Sequence, residues 1–246
     1  MPPDRSQLSA VVMAAGEGTR LRPLTERWAK PVLPIDGRPV LATLLRELAA
    51  AGFAEVCVVT GHLAEQVEAL VGDGSPFGLR AHLVRQPEPL GSADAVRRAI
   101  EAGSRAPLLV TAADTAFARG DIARAAQQWL SSGTVGALGV RKGGHTGQTP
   151  VRVEKGRIVE IGRGADHTAA PLWLLGDELA SALNDVPGPP FEIAIAVQAA
   201  LAAGRKVLAL ELGRTRDLTH PADLVLHNFP YLSTWGKLGF PHEPAP

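Results

Sequence analysis

LSAVVMAAGEGTRLRP, residues 8–23, decides how the rest of the chain is read. Its first seven residues form a short apolar run with β-branched members, which predicts a buried strand. The run then breaks into Ala14, Ala15, Gly16, Gly18 and Thr19, followed by Arg20 and Arg22. Small side chains just past the carboxyl end of a strand let backbone N–H groups approach a ligand, and parallel sheets bind ligands at that end. The arginines add fixed positive charge with a geometry suited to phosphate. An ordinary glycine turn is the competing reading if Gly-x-Gly is taken alone.

Working outward, the same alternation repeats. EVCVVTG (55–61), LRAHLVRQ (79–86) and PLLVTAAD (107–114) read as further strands. Between them Leu41, Leu44, Leu45 and Leu48 recur at helical spacing, as do Leu63, Val67, Leu70 and Val71. SADAVRRAIEAG (92–103) reads as a helix with Ser92 at its N-cap, and Ile122, Ala126, Trp129 and Leu130 mark another. A β-α-β-α series implies a mostly parallel sheet covered on both faces. The second half predicts strands over 134–140, 149–154, 156–162, 170–176 and 206–212, the second and third of these as a hairpin around Lys155. Helices are expected over 177–184, 191–204 and 221–228. No repeat or linker interrupts the chain, so one domain over residues 1–246 is expected, with 229–246 as an aromatic-rich arm. Phe229, Tyr231, Trp235 and Phe240 give that arm its character, and docking on its own domain or on a second copy is expected of it.

Composition excludes whole classes of function. The chain has 246 residues, 46% of them hydrophobic, which suits a globular fold. Lys+Arg and Asp+Glu balance at 25 each, so no bulk positive field exists to hold a nucleic acid polymer or an anionic membrane. The single Cys57 sits in an apolar run and is expected as a buried reduced thiol, which suits the cytoplasm. No secretory leader is visible at the start, and no apolar run reaches the length of a membrane span. A dinucleotide fingerprint needs Gly or Ala where Leu21 stands and an acid where Thr60-Gly61-His62 stands; a Walker loop needs a Gly-Lys-Ser/Thr triplet that the chain lacks.

The wider string is more specific. AAGEGTRLRPLT is followed by KPVLPIDGRPV (30–40), QPEPLGSADAV (86–96), VTAAD (110–114) and RDLTHPADLVLHN (216–228). In this order the landmarks resemble the signature of the sugar-1-phosphate nucleotidyltransferases, also called nucleotide-sugar pyrophosphorylases. The resemblance implies a Rossmann-like three-layer αβα nucleotidyltransferase fold with a mostly parallel central sheet. It also implies Mg²⁺ dependence and the reaction of an NTP with a sugar 1-phosphate to give a nucleotide sugar and pyrophosphate. By match to the family, Arg20 would address the β- and γ-phosphates, and Lys30 the α-phosphate and the acceptor phosphate. Asp114 and Asp217 would ligate the metal. A helix cap or turn role is the competing reading for Asp114. For Asp217 it is a salt bridge to Arg214 or Arg216.

Ala14, Ala15, Gly16, Gly18 and Thr19 would receive the nucleotide. Gln86 and Gly91 would meet its base, with Ser92 standing where threonine is usual. An amide that both donates and accepts suits a pyrimidine edge, so UTP or dTTP is favoured. Glu192, in FEIAIAV, would contact acceptor hydroxyls. The middle of the chain departs from the family: Thr149-Pro150, Gly162-Arg163-Gly164 and Ala169 to Trp173 stand for its usual Tyr-Gly, Glu-Lys-Pro and Asn-Ala-Gly-Ile-Tyr. The acceptor-side lysine is missing, and Arg163 is the candidate to replace its charge. His145, His167 and His220 read as solvated or capping residues. Two other functions stay open: transfer of CMP to phosphocholine or another non-sugar phosphate, for which Trp173 and Glu192 are the hints, and a non-catalytic nucleotide-binding regulatory module.

Overall fold

The structure is a computed structural model that describes residues 8–143, 148–164 and 166–230. Its thirteen strands in chain order are β1 (Ser9–Ala14), β2 (Pro34–Ile35), β3 (Arg38–Pro39), β4 (Glu55–Thr60), β5 (Arg80–Arg85), β6 (Leu108–Ala112), β7 (Thr115–Ala116), β8 (Gly136–Lys142), β9 (Pro150–Glu154), β10 (Arg157–Ile161), β11 (His167–Leu175), β12 (Val207–Glu211) and β13 (Arg216–Asp217). Seven α-helices accompany them: α1 (Val40–Ala50), α2 (Ala64–Val71), α3 (Ser92–Glu101), α4 (Asp121–Leu130), α5 (Asp177–Ala182), α6 (Ile193–Ala202) and α7 (Pro221–Asn228).

The apolar runs become the centre of a nine-stranded sheet in the order β5-β4-β1-β6-β11-β8-β12-β10-β9. Alternate side chains of β1 serve opposite faces, as strand geometry demands. Ala10, Val12 and Ala14 pack with Leu41, Leu45 and Leu48 of α1, Val67 of α2 and Ile122 of α4. Val11 packs on the other side with Val96 and Ala99 of α3, Leu179 of α5 and Val197 of α6. Two apolar cores therefore sandwich one sheet. The leucines of the α1 stripe are essentially inaccessible to solvent, and burying each fully is worth roughly 1.5–3 kcal/mol.

The sheet is parallel only where the β-α alternation is regular. β5, β4, β1 and β6 run parallel, and so do β8 and β12. β11 enters antiparallel between β6 and β8. The expected hairpin forms from β9 and β10, and β9 also pairs with the start of β11. β11, β8, β12, β10 and β9 thus close into a ring. The expectation of a mostly parallel sheet holds for the first half and fails for the second. Hairpin-length connections there cannot make the crossovers that parallel pairing needs.

The aromatic arm lies almost wholly outside the described residues; of its four aromatics only Phe229 falls within them, and it is about half exposed. His145 also lies outside them. Among the described residues no helix is long and apolar enough to cross a membrane.

Candidate active site

The carboxyl ends of β1, β5 and β6 open on a cleft of about 320 Å³. The loop after β1 lines it with Ala14, Ala15, Gly16 and Gly18; Lys30 and Asp114 line it as well, and so do Gln86, Gly91 and Ser92 between β5 and α3. A second cavity of about 420 Å³ begins at Asp114 and takes in Arg20, Thr115, Arg141 and Asp217. Ala112 and Asp114 line both, so the two spaces meet at the end of β6.

The loop after β1 is held from behind. Gly18 has φ +64°, and a Cβ there would stand 2.9 Å from Thr25 Cγ2, so glycine is required. Thr25 donates its hydroxyl to the Gly18 carbonyl at 2.9 Å. Gln66 of α2 accepts from the Ala29 N–H and donates to the Arg27 carbonyl, both at 2.8 Å. Those bonds fix the segment that delivers Lys30 and Pro31 into the cleft. Lys30 Nζ forms an ion pair with Asp114 Oδ2.

Asp217 is brought to Asp114 across about a hundred residues of chain by two tiny strands. β13 pairs antiparallel with β7, with Asp217 opposite Thr115. The Thr115 hydroxyl lies 2.7 Å from Asp217 Oδ1 and 3.3 Å from Asp114 Oδ1, so one group touches both carboxylates. Arg141 Nη2 stands 2.6 Å from Asp217 Oδ2. That contact is an ion pair rather than an aligned hydrogen bond, because the buried Nη2 has no aligned acceptor. Burial pushes the Asp217 carboxyl above the usual carboxylate range and the Asp114 charge adds to the rise; the Arg141 charge and the Thr115 hydrogen bond pull against it. The salt bridge expected as the competing role of Asp217 exists, but with Arg141. Arg216 instead grips Asp36 through two bonds of 2.7 and 2.5 Å, which ties β13 to the β2–β3 turn.

Two carboxylates joined through one hydroxyl make an all-oxygen donor set, which suits a hard divalent cation of the Mg²⁺, Mn²⁺ or Ca²⁺ kind. Among the described residues no cluster of three or more His, Cys, Asp and Glu offers a complete protein cage. Mg²⁺ is ordinarily bound through one or two carboxylates plus phosphate oxygens and waters, so the pair fits that ion together with a phosphorylated ligand.

On the wall between β5 and α3, Gln86 is buried, with its amide donating to Asp94 Oδ2 at 2.7 Å and to the Gly91 carbonyl at 3.1 Å. Gly91 has φ +107°, and a Cβ would fall 2.3 Å from the Phe191 carbonyl oxygen. Backbone bonds from Phe191 N–H to Leu90 and from Ala93 N–H to Phe191 lock that approach. Ser92 is not the N-cap: Gly91 occupies that position and Ser92 is the first helical residue. Its hydroxyl donates to Glu192 Oε2 at 2.5 Å and accepts from the Ile193 N–H at 2.9 Å. Glu192 therefore stands behind Ser92 and lines neither space.

Not every candidate converges. Thr19 is exposed in a short 3-10 turn, outside both linings. Arg163 is 82% exposed at its side chain, pairs with Glu160 at 3.6 Å and lines neither cavity. The buried cation beside the acids is Arg141, which sequence reasoning passed over. Its signal was an arginine ending an apolar strand, because a guanidinium there must find a carboxylate. His220 takes the N-cap position of α7, where Asp223 accepts its backbone N–H at 2.7 Å, in keeping with the capping role. His167 is half-buried and its Nε2 is without a partner among the described residues.

Residues 9–144, more than half of the chain, match the nucleotidyl transferase family. A glucose-1-phosphate thymidylyltransferase of Streptomyces griseus is 45% identical over 89 residues, 36% of this chain and 25% of that protein. A mannose-1-phosphate guanylyltransferase of Mycobacterium tuberculosis is 46% identical over 86 residues, 35% of this chain and 24% of that protein. The chain spans about a quarter of the length of these curated relatives. Among solved structures, a Bacillus anthracis protein described as a glucose-1-phosphate thymidylyltransferase superposes with a TM-score of 0.81 at 18% identity, covering 90% of this chain and 94% of its own. That likeness extends the α/β fold over the second half of the chain, which the family match does not reach.

Proposed function

The chain belongs to the nucleotidyl transferase family, and on that premise we propose that it transfers a nucleoside monophosphate from an NTP to a sugar 1-phosphate and releases pyrophosphate. A phosphate oxygen of the acceptor attacks the α-phosphorus, the bond from that phosphorus to the bridging oxygen breaks, and pyrophosphate leaves with the electron pair. Two anions must be brought together while charge builds on the leaving group, so catalysis is chiefly placement and electrostatic stabilisation. No covalent nucleophile is needed, in keeping with a buried Cys57.

The observation that carries this reading is the meeting of Lys30, Asp114 and Asp217 beside the small-residue loop. In the proposed roles, Ala14, Ala15, Gly16 and Gly18 admit the triphosphate, Arg20 takes its outer phosphates and Lys30 the α-phosphate. Asp114 and Asp217 would hold Mg²⁺, which when bound supplies charge neutralisation to the phosphate oxygens. Lys30 and Asp114 cancel each other's charge in the free cleft. A phosphate reaching Lys30 therefore takes over a cation that is already aimed and desolvated.

Gln86 and Gly91 are proposed to meet the base. Both acceptors beside the Gln86 amide face its NH₂ end, which leaves Oε1 toward the cleft. An acceptor there suits the N3–H of uracil or thymine, so UTP or dTTP is the proposed donor. CMP transfer to phosphocholine has less support: Oε1 opposes the ring acceptor of cytosine, Trp173 is buried in the core, and no Phe, Tyr or Trp is among the residues lining either cavity. A purely regulatory module would have no use for a desolvated Lys30 beside two carboxylates. Glu192 is proposed to act on the acceptor through Ser92 rather than directly. Arg163 has no structural support as an acceptor contact.

The test is a pyrophosphate-release screen of four NTPs and dTTP against sugar 1-phosphates and phosphocholine. Release that needs both substrates and is fastest with UTP or dTTP is expected. No release with any pair, or equal release without an acceptor, overturns the assignment.

A further inference from the structure

Asp94 has no part in the chemistry described above, yet it is a nearly buried carboxylate on the first turn of α3. Its Oδ2 accepts from Gln86 Nε2 at 2.7 Å and from Arg98 Nε at 2.8 Å. Its Oδ1 lies 3.4 Å from Arg97 Nη2, and the Arg97 guanidinium is itself held over the Phe191 ring at 4.5 Å. The Gln86 backbone is fixed separately, its N–H donating to Thr60 at 2.7 Å. Only rotation of the terminal amide is left to decide what Gln86 shows the cleft.

We propose that Asp94 is a specificity-determining residue that locks the Gln86 amide in one orientation, so that the cleft accepts bases with a ring N–H at the Watson–Crick edge and rejects those with a bare ring nitrogen. Such a lock presupposes that this wall is the base subsite proposed above. An ionised carboxylate can only accept, and so can the Gly91 carbonyl on the same side. Both hydrogens of the amide are consumed there, and no donor among the described residues reaches Oε1. Uracil and thymine offer N3–H and guanine offers N1–H; cytosine N3 and adenine N1 are acceptors and would oppose Oε1 lone pair to lone pair. Burial pushes the Asp94 carboxyl up, but the bonds from Gln86 and Arg98 and the charges of Arg98 and Arg97 outweigh it. The group stays below the usual carboxylate range and remains an acceptor throughout the working pH range.

Arg98 gives the proposal an unusual signature. Because Arg98 Nε and Gln86 Nε2 share Oδ2, Asp94→Asn would keep its oxygen at that point, drawn there by Arg98. Arg98→Leu alone leaves a carboxylate whose both ends accept. Only the double variant lets the position-94 amide turn its NH₂ toward Gln86, leaving the single bond to the Gly91 carbonyl to hold the Gln86 amide against turning with it.

The experiment is calorimetric binding of UTP and CTP to the full chain in Mg²⁺, for wild type, the two single variants, the double variant and Asp94→Ala. Wild type and both single variants should keep the same preference for UTP. The double variant and Asp94→Ala should lower it about tenfold, the scale of one mismatched hydrogen bond. A merely structural role would weaken UTP and CTP equally and leave the ratio alone, and that result overturns the lock. So does a wild type that binds UTP and CTP equally. Binding of neither nucleotide by wild type overturns the base subsite itself, and the lock with it.

Discussion

Lys30 shows how one residue can be set by both chain neighbours and distant partners. Pro31 follows it, Gln66 holds the backbone just before it, and Asp114 takes its charge. Lys30→Ala should therefore lower kcat by about 10²–10³, the scale of losing one preorganised electrostatic contact, with a smaller change in NTP affinity; calorimetry and steady-state kinetics separate the two. Asp94 carries a pH prediction. Its folded pKa is depressed, so its contribution to stability is complete above the unfolded value of about 3.9 and is lost only as pH falls through the lower folded value. The UTP:CTP binding ratio should accordingly stay flat from about pH 8 to about pH 5, and a change centred near neutrality would contradict this. At this scale the sequence was most legible where a residue type is demanded by local backbone or by a motif. The two glycines, Lys30 and Asp114 were all visible. Arg141 was not, because an arginine's partner depends on which strands end side by side.

At the scale of elements, two-residue strands do more for the site than their length suggests. β7 and β13 join the acids, and the α7 helix clamps the β2–β3 turn, with Asn228 donating to the Pro34 carbonyl and accepting from Gly37 N–H at 2.8 Å each. Such pieces are too short to carry a hydrophobic period, so periodicity cannot reveal them. The long stripes could be read: the α1 leucines, the β1 run and the β9–β10 hairpin all appear where their patterns put them. Ser92 shows the limit, since a serine before a helical pattern suggests a cap, while the tertiary pull of Glu192 and Ile193 takes its hydroxyl elsewhere. Gly91→Ala should destabilise the fold by about 1–3 kcal/mol, from a strained φ and collision with Phe191 backbone. It should also weaken nucleotide binding, which urea unfolding and titration would register. Breaking the β8–β13 link by Arg141→Ala should cost about 3 kcal/mol, because it strands a mostly buried carboxylate. Adding Asp217→Ala should cost much less than a second full increment in the same urea series.

Across the whole molecule, the first half of the chain supplies the small-residue loop, Lys30 and Asp114, and the second half returns to set Arg141 and Asp217 beside them. The β-α alternation made the parallel half legible. The closed ring of β11, β8, β12, β10 and β9 was not, because apart from the β9–β10 hairpin its pairings join strands that do not follow one another in the chain, and alternation says nothing of antiparallel partners. One acid at the end of β6 stands where both halves open. The measurement that addresses this most directly is the initial rate of pyrophosphate release by wild type and Asp114→Asn, with the substrate pair selected by the screen, saturating Mg²⁺ and melting curves in parallel. If Asp114 holds the catalytic metal, the rate falls at least about a hundredfold in a variant that melts cooperatively like the wild type. An equal rate in the two proteins would contradict that role.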